Sequence, residues 1–374
     1  KNRGKNNQKT MRVALGTTNR FRIAITRVAA GGFRSDAALE AIANASTIGG
    51  GQSLVLYNYP SFSATLAAAI VKLYHSRLSL PCLILPFSSL VPFRQYRKED
   101  ITIKGLEHCY LLDFLGAKGF PAFVSKQSNC KVYVFDHRNS SRERIKSGEE
   151  DHPDVFFHCD SDQNSCRAVC TYFYQKFANV FPSDCLLGSN HQREVGSVID
   201  YLEDIDLNRW SLPNVQAFKI GRNEWKSKVN CITNPRILDQ ILEVKAGDLI
   251  DFGESYVSSR ESEARNLLEK SFKVRLGEGT FGECLGVRAD GYTHLTNEIG
   301  TQLSVKSGEV GLRPIGAVVF LHRRKLKMCL RTIDEKTDTS EIAKAYGGGG
   351  KRYGSSFNIR MDDYNRWTST VRNM

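Results

Sequence analysis

The sequence has no long hydrophobic run and no cysteine pattern that would indicate a disulfide framework. Its longest apolar segment, Ile315–Leu321, has only the length of a strand, whereas a membrane-spanning helix needs about 20 apolar residues. We therefore expect no membrane span. The ten cysteines are scattered along the chain, which favours free thiols in a reducing compartment. No internal repeat is evident, so a repeat architecture is not expected.

A zinc cluster is the alternative interpretation of four residues in one stretch. Cys166 and Cys170 are spaced to share a helix face, and His158 and Cys159 precede them. No Cys-x-x-Cys pair is present, although such pairs are typical of structural zinc sites. Free thiols are the favoured interpretation.

Acidic residues are absent from the first 35 positions. This arm carries nine Lys or Arg residues and accounts for +9 of the formal charge of +12, which leaves +3 for all later residues. Such a basic arm is typical of an organelle-targeting segment or a nucleic-acid-binding tail. We expect RNA or other protein subunits as partners, and a mitochondrial or otherwise cytoplasmic location. A solvated extension is the simpler alternative. The first residue is Lys1 rather than Met, which suggests that further residues preceded it.

What is present is a chain of 374 residues, 41% of them hydrophobic, which is enough for two or three domains with a substantial core. Strands that alternate with helices in the first half predict a parallel sheet. Short β runs from residue 269 onward predict a second domain. The expected divisions are a basic extension at 1–45, a Rossmann-like α/β domain at 46–215, a mostly helical linker at 216–268 and a smaller mixed α/β domain at 269–374.

The individual elements follow from apolar patterning and cap residues. The acidic, polar segment 142–165 is expected to include a loop. Predicted strands are 53–57, 83–85, 108–114, 131–135, 272–276, 284–289, 317–322, 327–332 and 356–360. Predicted helices are 35–45, 64–73, 165–177, 195–203 and 337–345, and 120–125 is predicted as a short helix or a turn.

The most informative run follows the strand Lys131–Phe135. Asp136 and His137 are potential metal ligands at the carboxyl end of that strand, where open α/β sheets place their sites. Arg138 comes next, and an arginine is a fixed cation that cannot bind a metal. By itself each residue could be an ordinary strand-end side chain.

Five segments occur in a fixed order along about residues 50–370. They are Leu56-Tyr57-Asn58-Tyr59-Pro60-Ser61-Phe62-Ser63, Tyr110-Leu111-Leu112-Asp113-Phe114, Asp136-His137-Arg138, Glu203-Asp204-Ile205-Asp206-Leu207-Asn208-Arg209-Trp210, and Ser340-Glu341-Ile342-Ala343-Lys344 with the glycines and Ser355-Ser356-Phe357 after it. This ordered set resembles the DHH phosphoesterase superfamily, with its catalytic domain and its DHH-associated C-terminal domain. The resemblance implies hydrolysis of phosphoester or phosphoanhydride bonds, typically with two manganese ions that activate water and bridge the phosphate.

The first motif of the family departs most from the pattern. The family has a His and, four residues later, an Asp, and these positions fall on Tyr59 and Ser63, with Asn58 as the nearest alternative to the His. None of the three is a good manganese ligand. The resemblance therefore implies that two ligands of the first motif are missing.

The later motifs keep their acids but gain a cation. The family's acids are matched by Asp113, by Asp136 with His137, and by Asp204, beside which lies Asp206. The second His of the third motif is replaced by Arg138. If these acids converge as in the family, the arginine would offset their mutual repulsion and could form bidentate pairs with them.

The C-terminal domain keeps features that can bind phosphate. Gly348, Gly349 and Gly350 are followed by Lys351, where the family usually has a His that contacts substrate phosphate. The family also has an Arg before the glycine run, in a Leu-Arg-Ser-like stretch, and Arg331 matches it. Together with Arg352, these groups suggest residual RNA or nucleotide binding. The alternative is that the glycine run is only a helix C-cap followed by a loop, without a binding role. The run Arg323-Arg324-Lys325 with Lys327 suggests a second basic patch or only a hairpin tip.

The pattern of losses predicts a catalytically inactive DHH-like protein without a cofactor. We expect it to act as a structural or RNA-binding subunit of a larger assembly, such as a mitochondrial ribonucleoprotein. An active phosphoesterase with an altered manganese site, which uses Asp113, Asp136, His137 and Asp204, is the alternative. Nucleotide binding at the glycine run without chemistry is a third hypothesis. Function must be argued from the site rather than from the fold.

Overall fold

The computed structural model describes residues 35–47, 52–90 and 93–369. The basic arm therefore lies outside the described residues, except for its last one. Among the helices of the described ranges, none combines the length and the apolar character that crossing a membrane requires.

The first sheet has five parallel strands in the order β2-β1-β3-β4-β5. Three of its four connections contain an α-helix, as the alternating pattern predicts, whereas the described residues between β2 and β3 contain only the 3-10 turn Lys98–Asp100. The strands are β1 Gln52–Asn58, β2 Cys82–Phe87, β3 Leu106–Leu112, β4 Lys131–Phe135 and β5 Val155–His158, and the helices are α1 Asp36–Ala45, α2 Phe62–Arg77, α3 Phe120–Ser128, α4 Asn139–Lys146, α5 Ser165–Val180 and α6 Ser189–Asp206.

Both faces of this sheet are buried. Alternate residues of β1 point to opposite sides: Val55 and Tyr57 join the core beneath α2, α5 and α6, and Leu54 and Leu56 join the core beneath α1 and α3. Three residues of α1 lie in that second core. The last ten residues of the predicted extension thus pack against the first domain.

The second sheet has six strands in the order β10-β11-β9-β8-β7-β6, all antiparallel neighbours except β7 and β8. Its strands are β6 Phe272–Arg275, β7 Glu283–Arg288, β8 Gly316–His322, β9 Lys325–Arg331, β10 Gly349–Lys351 and β11 Gly354–Ile359. Six further helices complete the described chain: α7 Val215–Asn223, α8 Ile237–Gln240, α9 Ala246–Leu268, α10 Thr296–Glu309, α11 Thr339–Ala345 and α12 Met361–Thr368.

The predicted fold class is confirmed: a parallel α/β domain precedes a mixed α/β domain. The capping prediction for α1 also holds, since the Ser35 hydroxyl accepts a hydrogen bond from the N–H of Ala38. Five elements were not predicted, namely α4, β5, α10, β10 and α12. The acidic segment 142–165 contains the second half of α4 and the whole of β5 as well as loops.

Candidate functional site

The site lies at the carboxyl edge of the first sheet, where β1, β3 and β4 are neighbours. Asn58 ends β1, Asp113 follows β3 and Asp136 follows β4. Asp113 has a left-handed backbone with φ of 65°, and its N–H donates to the carbonyl of Phe135 at 2.8 Å. A positive φ is uncommon outside glycine, although Asp tolerates it better than most residues. The turn holds the Asp113 carboxylate at the sheet edge.

Hydrogen-bond donors surround the carboxylate of Asp113. Its Oδ2 accepts from Asn58 Nδ2 at 3.1 Å and from the Ser61 hydroxyl at 3.0 Å. Its Oδ1 accepts from the Ser165 hydroxyl at 3.2 Å. A buried carboxylate requires such partners, and here uncharged side chains supply most of them.

Asp136 is the most deeply buried acid of the site, with 1% of its surface exposed. Its Oδ2 accepts a hydrogen bond from the Ser141 hydroxyl at 2.6 Å, and its Oδ1 accepts one from the N–H of Arg138 at 3.3 Å. Ser141 lies in the first turn of α4, so this helix holds Asp136 in place.

Arg138 bridges the two acids. Its guanidinium nitrogens lie 3.5 Å from Asp113 Oδ1 and 3.6 Å from Asp136 Oδ2, and one of them donates to the Asp113 carbonyl. A fixed positive charge thus lies between two buried carboxylates, but the expected bidentate pairs are not formed, since each carboxylate has a different guanidinium nitrogen near it.

His137 belongs to a short chain of hydrogen bonds. Its Nδ1 lies 2.8 Å from the Ser165 hydroxyl and 3.6 Å from Asp113 Oδ1. A serine hydroxyl has one proton to donate. The backbone N–H of Ser165 also donates towards the same Nδ1 at 3.4 Å, so Nδ1 of His137 and Asp113 Oδ1 are alternative acceptors for the Ser165 hydroxyl proton.

The two positions of the first motif serve other contacts. The Ser63 hydroxyl donates to Asp206 Oδ2 at 2.9 Å, and Asp206 also lies 3.6 Å from a guanidinium nitrogen of Arg222. The ring of Tyr59 packs edge-on against that of Phe93, with centroids 5.8 Å apart. Neither residue provides a metal ligand.

Asp204 does not join the other acids, so the expected convergence of three acids is limited to two. Its carboxylate accepts hydrogen bonds from the backbone N–H of Ser211 at 3.0 Å and from the Ser211 hydroxyl at 2.5 Å, and from the N–H of Leu212 at 3.3 Å. Burial alone would raise the pKa of the Asp204 carboxyl, but these hydrogen bonds and the nearby Arg209 hold the pKa below its ordinary value. Asp206, two residues later, is the acid of this segment that reaches the cavity.

The site opens into a cavity of about 330 Å³. The cavity contains positive and negative side chains in close alternation. Its lining is Pro60, Ser61, Phe62, Ser63, Asp113, His137, Arg138, Asp206, Arg222, Asn223 and Lys226.

A two-metal centre does not fit these residues. Within the described chain one group could offer three ligand atoms to an ion, namely Asp113, Asp136 and His137, whose ligand atoms lie within 4.8 Å of one another. Two manganese ions need considerably more oxygen or imidazole ligands. The guanidinium of Arg138 also lies against both carboxylates, and like charge would oppose a cation there.

The predicted phosphate-binding residues of the second domain lie on neighbouring strands, since Gly354 of β11 is opposite Arg331 of β9 on one side and opposite Lys351 of β10 on the other. The guanidinium of Arg331 donates to Asn297 at 3.0 Å and to the Leu330 carbonyl at 2.9 Å. Gly349, Gly350 and Lys351 form β10, which pairs with β11, so most of the glycine run is an edge strand rather than an open loop. Gly348 precedes this strand, and Lys351 and Arg352 are exposed.

The four residues of the alternative zinc interpretation do not form a metal site among the described residues. All ten cysteines are free. Burial raises the pKa of the Cys170 thiol to about 11 and that of Cys159 to about 11, so these thiols stay protonated at neutral pH.

Sequence reasoning missed Ser165 and Ser141, which hold the two acids. Both lie at helix N-termini that follow strands at the site edge: α4 follows β4, and α5 follows β5. Polar residues at such positions are a usable signal. The signal was lost because β5 was not predicted, and Ser165 was therefore not placed at the sheet edge.

No profile of a known protein family matches the chain, and no curated protein is similar to it in sequence. Solved structures do match. Exonuclease RecJ bound to manganese is 11% identical over 90% of this chain and 94% of its own, with a TM-score of 0.32. PggH from Vibrio cholerae, a pGpG-specific phosphodiesterase, is 11% identical over 84% and 95%, with a TM-score of 0.32. CDC45 from Entamoeba histolytica is 9% identical over 88% and 97%, with a TM-score of 0.29.

These identities and TM-scores are too low to support any inference about activity. What the structure establishes is a parallel α/β domain followed by a mixed α/β domain, with a small acidic cluster at the edge of the first sheet. What the chain does must be inferred from the residues of that cluster.

Proposed function

We propose that this chain is a catalytically inactive DHH phosphoesterase-like protein that acts as a structural or RNA-binding subunit of a larger ribonucleoprotein assembly in the mitochondrion. The observation that supports the loss of catalysis is the position of Arg138, within 3.6 Å of the carboxylates of both Asp113 and Asp136. In this proposal the guanidinium replaces the metal charge, and the acids serve the fold.

The hydrogen bonds around the acids support the same conclusion. Asn58, Ser61 and Ser165 all lie within hydrogen-bond distance of Asp113, and Ser141 lies within that distance of Asp136. Carboxylates held in this way need no further cation to remain buried, because hydrogen bonds and one arginine offset the cost of burial.

The charge distribution supports RNA as the partner. The first 35 residues contribute +9, and such a segment would bind a phosphate backbone with strong salt dependence. The mitochondrial location rests on the same composition, which is rich in Arg and free of acids as targeting segments are.

The loss of catalysis is tested with the full chain, Mn²⁺, short oligoribonucleotides and nucleotide monoesters. We expect product formation no faster than with the Asp136→Ala variant, assayed by chromatography at equal protein concentration. Manganese-dependent turnover that Asp136→Ala abolishes would disprove the proposal, because a contaminating nuclease would act equally in both preparations.

An active phosphoesterase with an altered manganese site is the second candidate, and the cluster of Asp113, Asp136 and His137 favours it. Asp204 would take no part, since its carboxylate binds the 211–212 backbone. Titration calorimetry with Mn²⁺ separates the two candidates: heat of binding that Asp113→Asn removes would favour the active enzyme.

Nucleotide binding at the glycine run without chemistry remains a separate proposal. Calorimetry with mononucleotides and short RNA, repeated with Lys351→Ala, tests it. Binding that the substitution weakens would support it, and no binding of mononucleotides would exclude it.

A further inference from the structure

One end of the second sheet carries basic side chains that are exposed or half-buried. On β9 the side chains of Lys325, Lys327 and Arg331 point to the same face because they alternate with the core residues of that strand. At the Arg331 end α10 packs on this face, where a Cβ on Gly300 would lie 2.6 Å from Cγ of Arg331. Lys325 is exposed and Lys327 half-buried, so the opposite end of the face is open.

The strand register gathers polar partners around these two lysines. His322 of β8 lies opposite Lys325, and Asn358 of β11 lies opposite Lys327. Directly opposed residues share a face of the sheet. The lysines are two residues apart on one strand, a separation of about 6.6 Å.

These residues line a cavity of about 410 Å³. Three of the lining residues carry a permanent positive charge and none is acidic, so the electrostatic potential inside favours an anion. The lining also includes Gly347 and Gly348, which leave the backbone accessible at one wall. It consists of His322, Arg323, Lys325, Lys327, Gly347, Gly348, Ser356, Phe357 and Asn358.

The turn that joins β8 to β9 places one of the cations. Arg323 and Arg324 have φ of 49° and 64°, the conformation of a two-residue hairpin turn that usually contains Asn and Gly. Arginine at both positions costs conformational energy, and such strain is more common where a side chain has a function. Arg323 consequently lies at the rim of the cavity.

This cavity shares only Gly348 with the phosphate-binding set that the sequence resemblance implies. Arg331 is held by Asn297 and the Leu330 carbonyl, and neither Arg331 nor Lys351 is part of the lining. The cations that face the cavity are carried by the β8–β9 hairpin instead.

We propose that this cavity binds the sugar–phosphate backbone of single-stranded RNA, with Lys325 and Lys327 on successive phosphates and Arg323 at the rim. An extended strand that presents a cation at every second residue matches a ligand with regularly repeated negative charge. The choice of RNA rests on the proposed function above, whereas the site itself rests on the cavity and its charge.

The test is fluorescence anisotropy of a labelled ten-nucleotide oligouridylate with the full chain at several salt concentrations. A Lys325→Gln/Lys327→Gln variant should bind more weakly. The slope of log K against log salt should fall by about 1.4, since each phosphate contact on a single strand contributes about 0.7. Lys325→Arg/Lys327→Arg should retain both affinity and slope.

A matched control removes the same charge elsewhere: Lys104→Gln/Lys126→Gln changes two exposed lysines of the first domain. Asn358→Asp tests the site without removing a lysine, because it places a carboxylate opposite Lys327, and it should weaken binding. If the Lys325→Gln/Lys327→Gln variant binds as the control does, or if only vesicles of anionic lipid respond to it, the proposed site is wrong. That result would leave the proposed loss of catalysis unaffected, since the activity assay tests it separately.

Discussion

A single arginine supplies the positive charge that compensates two carboxylates at the carboxyl edge of the first sheet. Arg138 contacts both Asp113 and Asp136, and most of its other surroundings are uncharged donors to those acids. Removing one partner of a buried charge group is costly, because the remaining charges lose their compensation. The arginine side chain is 41% exposed, so solvent reduces that cost.

Replacing this arginine should therefore destabilise the fold. We expect Arg138→Ala to lower the free energy of unfolding by about 1–3 kcal/mol, below the full cost of breaking a buried pair. Urea unfolding at neutral pH measures this change in the free energy of unfolding. Arg193→Ala, which removes an exposed arginine of α6, should change the value by no more than about 0.5 kcal/mol. Equal effects of the two substitutions would show that Arg138 does not stabilise the acids.

Asp204 provides a prediction about pH. Its pKa is lowered in the folded state, so it stabilises the fold above its ordinary pKa, and this contribution is lost as the pH falls through the lowered value. The difference in unfolding free energy between the native chain and Asp204→Asn should be constant around neutral pH and should shrink below about pH 4. Urea unfolding of the native chain and of Asp204→Asn at pH 7 and at pH 3 measures this difference. A difference that grew on acidification would contradict the assignment.

Among the elements, α7 and α9 pack unusually closely because each contributes a glycine. A Cβ on Gly221 would lie 2.1 Å from the carbonyl oxygen of Leu249, and one on Gly253 would lie 2.0 Å from that of Ala217. The two helices thus meet backbone to backbone at reciprocal positions. Any side chain there would separate them.

We expect Gly221→Ala and Gly253→Ala each to destabilise the protein by about 1–3 kcal/mol, the usual cost of overpacking. Gly196→Ala is the matched control, because a Cβ at that position of α6 would meet nothing within 4 Å. It should stabilise the protein by about 0.5–1 kcal/mol. Thermal unfolding of the three variants measures the opposite signs, and a stabilising Gly253→Ala would refute the close packing.

Sequence patterns predicted those elements whose apolar residues repeat clearly. The strand 131–135 and the helix start at Ser35 follow from local sequence alone. The strand β5 could not be predicted from local sequence, because it has only four residues in an acidic stretch. Its pairing with β4 decides its conformation. The same limit applies to the site: motif order located Asp113 and Asp136, but the direction of the Asp204 side chain depends on the 211–212 backbone.

Over the whole molecule, the positive charge is concentrated at one end of the chain. With +9 in the first 35 residues and +3 in the rest, most electrostatic attraction for a polyanion should come from the arm. The cavity of the second sheet would add a smaller contribution with a fixed position. The two contributions can be separated by their salt dependence.

Deleting residues 1–34 should weaken binding of oligouridylate and reduce the salt slope by at most about 6, since each of nine cations contributes about 0.7. Anisotropy at several salt concentrations measures the slope, and thermal unfolding of the truncated chain serves as the control for folding. An unchanged slope would mean that the arm does not contact RNA.

The guanidinium between Asp113 and Asp136 has a further consequence. A metal ion at such a position can be lost to dilution or to a chelator, whereas a cation that belongs to the chain cannot. Arginine also keeps its charge at every physiological pH. The stability of this domain should therefore be independent of the supply of divalent metal ions.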